Sequence, residues 1–204
     1  MIEIIAIVLA AGESSRMGRP KPLLPLNGST FLSHLLDEIR ASRVSRTLVV
    51  LGHHPEVVLE AMPEIAPIAI VNEEYQLGQL SSLHAGLREV GEKPDAVLMC
   101  LADHPFVTRD VIDGIIVAHE RTHRPIIVPT YGGGRGHPTL FARVLFGELL
   151  AAPLDQGARV VVRAHADEVL ELPTEEAGVL ADVDTPEQYE QWLGYWRSRK
   201  RTAR

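Results

Sequence analysis

The sequence predicts an α/β fold built on a mainly parallel sheet. Three observations carry this. Apolar runs rich in β-branched residues alternate with helix-period stretches along the chain, the pattern of repeated βαβ units. The first run, residues 4–9, is uninterrupted by charge, as expected of a strand buried on both faces. Small, basic or acidic residues stand directly after two such runs, at Gly12–Arg16 and at Asp103. Parallel strands would gather both at one sheet end, where open α/β folds bind ligands.

The 204 residues suffice for one α/β domain with a substantial core. Hydrophobic residues at 46% and charged residues at 23% are ordinary for a globular protein. A net charge of −7 argues against a nucleic-acid partner. The basic run 197–204 is expected to be a solvated, flexible tail. Cys100 is alone, so neither a disulfide framework nor a cysteine zinc site is expected. No apolar run reaches membrane-spanning length and no leader precedes the first strand, so no membrane contact and a cytoplasmic location are expected.

After the first strand, Ala10, Ala11 and Gly12 are small, Ser14 and Ser15 small and polar, and Arg16, Arg19 and Lys21 cationic. Small residues let backbone N–H groups approach a ligand, and a concavity of such donors binds phosphate oxygens. Arg adds a fork of donors and Lys a mobile charge. The loop is not a Walker A motif, because no Gly-Lys-Ser/Thr opens a helix, and it is not GxGxxG. Asn27-Gly28 marks a turn, and Ser29 or Thr30 can cap a helix to about residue 41. Residues 46–51 form the second strand, 56–62 a short helix and 67–71 the third strand. A helix starts at Gly78–Ser82, with Leu80, Leu83 and Leu87 on its buried side. Its free N–H groups and the Ser81 and Ser82 hydroxyls suit a polar or anionic ligand, and suit plain capping as well.

Residues 96–101 form the fourth strand, and Asp103 follows. Thr108 caps a helix to about residue 122, and 125–129 form the fifth strand. Gly132, Gly133 and Gly134 predict a mobile loop suited to a lid or acceptor-binding edge. Arg135 and His137 next to it could contact an anionic acceptor. Residues 140–150 read as helix, 158–165 as helix, and 168–172 and 179–181 as short strands. Thr185 caps the last helix, to about residue 197, with Pro186 at its first position. Capping alone is the alternative reading of the neighbouring Asp182 and Asp184.

The run Leu9-Ala10-Ala11-Gly12-Glu13-Ser14-Ser15-Arg16-Met17-Gly18-Arg19-Pro20-Lys21 resembles LAAGxSxRMGxxK, the signature of nucleotidyltransferases that include molybdenum cofactor cytidylyltransferase. Gly78 to Gly86, Asp103-His104-Pro105, Arg135-Gly136-His137-Pro138 and Asp182-Val183-Asp184-Thr185-Pro186-Glu187 resemble further segments of that family, in family order. The Asp155–Arg159 segment matches in part, because Leu154 stands where glycine is usual. The resemblance implies a Rossmann-like, three-layer nucleotidyltransferase fold with a mixed, mostly parallel sheet, as one domain over 1–204. It implies an enzyme that transfers a nucleoside monophosphate to a phosphorylated acceptor and releases pyrophosphate. Arg16, Lys21 and Asp103 would be catalytic. Leu9, Ala10, Ala11, Gly12, Arg16, Lys21, Gly78, Ser81 and Ser82 would bind the nucleotide. Arg135, Gly136 and His137 would bind the acceptor. Asp103 and Asp184 would hold Mg²⁺, and His104 would be incidental or substrate-facing and not a metal ligand.

Ala10-Ala11-Gly12 and Arg135–Pro138 resemble the cytidylyl subgroup, so CTP, a molybdopterin-type acceptor and a recipient molybdoenzyme are the implied partners. The guanylyl branch usually reads Leu-Ala-Gly-Gly. Two alternatives stand beside this: a guanylyl- or other nucleotidyltransferase with a different acceptor, and a non-catalytic protein that holds and delivers a cofactor. A dinucleotide-binding oxidoreductase lacks its fingerprint glycines.

Overall fold

The structure, a computed structural model, describes residues 2–202, with side chains through residue 198. In chain order the elements are β1 (Ile4–Ala10), β2 (Pro25–Leu26), β3 (Ser29–Thr30), α1 (Phe31–Arg40), β4 (Arg46–Leu51), α2 (Pro55–Ala61), β5 (Ala69–Val71), α3 (Gln79–Val90) and β6 (Ala96–Leu101). They continue with α4 (Arg109–Thr122), β7 (Ile126–Tyr131), β8 (Gly134–Arg135), β9 (Thr139–Ala142), α5 (Phe146–Ala151), α6 (Arg159–Ala164), β10 (Val169–Pro173) and α7 (Pro186–Thr202).

The main sheet runs β10-β7-β9-β6-β1-β4-β5, with β8 paired to β7. β1 lies at its centre, parallel to both β4 and β6. Only β9 and β8 run antiparallel to their neighbours. Strand periodicity explains why β1 is apolar throughout. Ile4, Ala6 and Val8 face one layer, with Leu32 and Leu35 of α1 and Ile112 and Ile115 of α4. Ile5, Ile7 and Leu9 face the other, with Leu80, Leu83 and Leu87 of α3 and Val161 of α6. Each fully buried Leu or Ile contributes about 1.5–3 kcal/mol, so neither face tolerates a charge. A third cluster, including Phe31, Phe106, Val183, Leu193 and Trp196, docks α7 over the loop that follows β6.

Several elements differ from the sequence-based expectation. Residues 140–150 are not one helix: Thr139–Ala142 is the antiparallel strand β9, and α5 begins only at Phe146. A short apolar run fits either state, and pairing on both sides decides it, Met99 with Thr139 and Ile126 with Phe141. The third strand shortens to Ala69–Val71 after a 3₁₀ stretch, Pro63–Ile68, and Pro67 lacks the N–H a ladder needs. Residues 177–180 form a 3₁₀ turn and not a strand. The three glycines lie in a tight hairpin between β7 and β8. Gly132 and Gly133 take φ of +56° and +85°, the left-handed pair a two-residue turn requires, and Gly134 enters β8. The last helix extends past residue 197 to Thr202, and residues 203–204 of the expected tail lie outside the described residues. No helix of the described residues is long and apolar enough to cross a membrane.

Candidate active site

The carboxyl ends of β1 and β6 carry the loops that build the site. After β1 the chain folds back on itself: Ser14 adopts a left-handed φ of +54°, its carbonyl accepts from the Met17 N–H at 2.9 Å, and its hydroxyl accepts from the Lys21 N–H at 2.9 Å. Pro22 is buried at the return. The loop thus closes into a ring that brings Lys21 back over the strand end. After β6, the Ala102 N–H bonds to the Leu9 carbonyl at 3.0 Å, so Asp103 emerges beside the same loop.

Asp184 arrives from the far end of the chain. The Val183 N–H donates to the Asp103 carbonyl at 3.1 Å, and the Val183 side chain is fully buried in the third cluster. That pairing seats the 182–184 segment against the β6 loop. The helix α7 is capped without help from either aspartate. Thr185 Oγ1 accepts from the Gln188 N–H at 3.3 Å, and Gln188 Oε1 accepts from the Asp184 and Thr185 N–H groups at 2.8 and 3.0 Å, a capping box. The Asp184 carboxylate is therefore free of capping duty.

Four charges interlock here. Lys21 Nζ donates to Asp103 Oδ2 at 3.0 Å and also to Asp184 Oδ1, and Arg16 Nη2 lies 2.6 Å from Asp184 Oδ2. Lys21 is only 15% exposed in its side chain, whereas Arg16 is 65% exposed. Burial works against the Lys21 ammonium, but the two carboxylates more than offset it and its pKa lies above the ordinary value. The hydrogen bond from Lys21 holds the Asp184 carboxyl below the usual range, with Arg16 adding to it. Asp182 is the counterpart: desolvation and the neighbouring Asp103 and Asp184 push its pKa up. Asp103, His104 and Asp182 also place one ligand atom each within 4.8 Å of one another.

Three adjoining cavities follow the carboxyl edge of the sheet. The first, about 260 Å³, is lined by Leu9, Ala10, Gly12, Arg16, Lys21, Asp103 and Asp184, among others. The second, about 230 Å³, shares Leu9, Gly12 and Asp103 with it and adds Ala11, Tyr75, Gly78, Gln79, Ser82 and Leu101. Ala11 is nearly buried, and a Cβ at Gly52 would lie 2.7 Å from its methyl carbon, so this wall is closely packed. The third and largest, about 590 Å³, shares Gly78 and Gln79 with the second. Its apolar floor is Met99, Val128 and Phe141, and Arg135, Arg159 and Arg163 stand at it.

The residues singled out from the sequence mostly converge on this groove. Ser81 does not: its hydroxyl donates to the Glu74 and Gly78 carbonyls at 2.9 and 2.8 Å and accepts from Asn72 Nδ2, so it is buried at the helix entry and lines none of these three cavities. Ser82 also accepts from Asn72, at 3.0 Å, but reaches the second cavity. Arg135 lines the third cavity with its guanidinium anchored to Glu171 at 2.7 Å. Gly136 packs under the Val179 carbonyl, where a Cβ would collide with the carbonyl oxygen. His137 lines the third cavity, and its ring sits edge-on to His104 with centroids 4.9 Å apart. Sequence reasoning missed Tyr75, Gln79, Phe141, Arg159 and Arg163. Only the partial Asp155–Arg159 match pointed toward the last two.

Comparison with known proteins fits this geometry. The MobA-like NTP transferase domain model matches residues 6–169. The purine catabolism protein PucB of Bacillus subtilis is 29% identical over 92% of this chain and 94% of its own. A Pyrococcus horikoshii protein named as a probable molybdenum cofactor guanylyltransferase is 28% identical over 67% of each chain. The chain spans about a third of the length of the bifunctional GlmU proteins that it also matches, 32% in the Exiguobacterium protein. Among solved structures, Rv0371c from Mycobacterium tuberculosis superposes with a TM-score of 0.82 at 31% identity, covering 94% of this chain and 98% of that one. Its complex with manganese superposes at 0.80. With the family model spanning the strands and both loops that build the groove, the chain belongs to the MobA-like NTP transferase domain family, and is a nucleotidyltransferase of that family.

Proposed function

We propose that this protein transfers a nucleoside monophosphate, CMP from CTP, to a molybdopterin-type acceptor and releases pyrophosphate. The observation that carries the reading is the convergence of Asp103 and Asp184 on one cation in the first cavity. Two carboxylate oxygens that share the Lys21 ammonium form a binding point for positive charge, so the residues fit a divalent ion. Bound there by Asp103 and Asp184, Mg²⁺ would supply neutralising charge at the α-phosphate. The manganese complex of the Mycobacterium tuberculosis relative is in keeping with a divalent ion.

The chain's own residues do the rest. A triphosphate in the first cavity draws Lys21 and Arg16 from the carboxylates onto its phosphate oxygens, while backbone N–H groups around Gly12 add fixed donors. An acceptor phosphate oxygen attacks the α-phosphorus, the bond to the bridging oxygen breaks, and pyrophosphate carries off the electron pair. Such a reaction needs positioning and charge and no covalent nucleophile. The second cavity takes the base, against Ala11, Gly78 and Ser82. The third takes the acceptor, with a flat apolar body on Met99 and Phe141 and its anionic group toward the arginines. A molybdoenzyme then receives the product.

A guanylyl reading has a specific support in the Pyrococcus horikoshii relative. Ala11 separates the two, because its methyl narrows a wall that the guanylyl branch builds with glycine. The test is kcat/KM for CTP and GTP with molybdopterin and Mg²⁺. We expect CTP to be favoured by roughly tenfold to a hundredfold, the worth of a misfitted group in a tight pocket. A GTP preference supports the guanylyl reading. Nucleotide binding without pyrophosphate release supports a delivery protein.

A further inference from the structure

His104 is the residue the groove leaves unexplained. It sits at the mouth of a charged site yet is only 7% exposed. Its Nδ1 is buried with no hydrogen-bond partner among the described residues. A buried ring nitrogen without a partner is a cost that calls for an explanation.

Its surroundings name a use. One ligand atom from each of Asp103, His104 and Asp182 lies within 4.8 Å of the other two. The three come from two loops that the Val183–Asp103 backbone bond holds together. A buried imidazole with an unpartnered ring nitrogen, beside two carboxylates, offers the ligand types of a metal site. His137 packs edge-on to the ring and limits its rotation.

We propose that Asp103, His104 and Asp182 form a second divalent-cation site, for a first-row transition ion, apart from the Asp103–Asp184 pair and sharing only Asp103 with it. Magnesium prefers oxygen ligands and keeps its waters, whereas an imidazole nitrogen favours transition ions. Three protein ligands leave coordination positions open. The site stands on the cluster itself and does not depend on which triphosphate or acceptor the groove takes.

Mn²⁺ is the probe. The chelator-treated full chain, without nucleotide, is titrated with Mn²⁺ against excess Mg²⁺, and the bound ion is read by electron paramagnetic resonance. A single Mn²⁺ should bind per chain, and pulsed spectra should carry the nitrogen modulation of one imidazole. Asp182→Asn should weaken binding by roughly tenfold to a hundredfold, the scale for a lost contact at a metal site. Because Asp182 is exposed, that variant keeps its fold. His104→Ala should remove the nitrogen modulation, and Asp184→Asn should leave it in place. Mn²⁺ that binds no tighter than Mg²⁺, or that shows no nitrogen modulation in the unmodified protein, overturns the site. Equal weakening by Asp182→Asn and Asp184→Asn also overturns it, by moving the ion onto the other carboxylate pair. Pyrophosphate release from CTP in Mg²⁺ alone is measured separately, so that failure of the transfer reading and failure of this site give different results.

Discussion

The two ends of the groove are built on opposite plans. At the first cavity, Arg16, Lys21, Asp103 and Asp184 already contact one another, and a loop closed by Ser14 fixes the lysine. At the third, the floor is apolar, and Arg163 has no hydrogen-bond or ion-pair partner among the described residues, while Arg159 bonds only a local carbonyl, that of Gln156, at 3.0 Å. The contrast follows from what each end would hold. A triphosphate presents a fixed run of charge, so cations gathered at one point can pass from the carboxylates to its oxygens over a short distance. An acceptor with a large body is selected by shape and needs its charges only at the rim.

The largest expected effect breaks the charged end. Asp103→Asn should leave the fold intact and lower kcat by roughly 100-fold or more, the scale of losing a transition-state contact. Steady-state pyrophosphate release checks this, and a near-normal rate would remove Asp103 from the chemistry. Lys21→Ala should weaken triphosphate binding by about tenfold or more, as for loss of a charged hydrogen bond, and monophosphate binding far less. Equal losses in calorimetric titrations would show that Lys21 does not meet the distal phosphates.

The shape-selecting end should respond differently. Arg163→Ala should raise the acceptor KM by up to about tenfold, the worth of one exposed-rim charged contact, with the triphosphate KM unchanged. If both move together, the two ends are not separable. Ala11→Gly, between them, should relax the choice of CTP over GTP by up to about tenfold, read from the ratio of kcat/KM values.

The smallest effect is one of pH. His165 is held by Glu168 at 2.7 Å and Glu148 at 2.8 Å, and these hydrogen bonds raise its pKa above the ordinary 6.5. A raised folded value means that the stabilisation is complete below the unfolded pKa and lost as pH rises through the folded one. It clamps the end of α6, which carries Arg159 and ends at Ala164, one residue after Arg163. At the charged end the Lys21 and Asp184 contributions lie far from neutrality. The Lys21 contribution is lost only above a pKa raised beyond 10.5, and that of Asp184 only as pH falls through a value lowered below 3.8. With the intrinsic rise of amide exchange with pH divided out, protection should therefore fall in α6 as pH rises above 6.5, with no matching fall in the loop after β1. His165→Gln should abolish the step.

Legibility in the sequence divides along the same line. The charged end is local: strand, small residues and cations follow one another within Leu9–Lys21, and the capping signal at Thr185 locates Asp184. The acceptor end depends on sheet order. Residues 140–142 read as helix because so short an apolar run carries no period of its own, and only pairing between β6 and β7 makes them part of a strand. With β9 misassigned, nothing placed Phe141 beside Met99 or brought Arg159 and Arg163 to the same cavity. The glycines after Tyr131 signalled a connection but not its length, because a two-residue turn and a longer loop both use glycine. His104 seemed incidental because its burial and its neighbour Asp182 are tertiary facts. Ser81 could be read from sequence either toward a ligand or as a local hydrogen-bonding residue, and its hydroxyl bonds the Glu74 and Gly78 carbonyls at the helix entry.

The central claim, nucleotidyl transfer across the groove, is tested most directly by following the α-phosphorus. CTP labelled at the α-phosphate is mixed with excess protein, Mg²⁺ and molybdopterin for a single turnover. The account predicts that the label moves into the acceptor product while unlabelled pyrophosphate is released, and that Asp103→Asn stops both together. Label that stays in CTP, appears as free CMP, or remains in CDP with release of orthophosphate would contradict it.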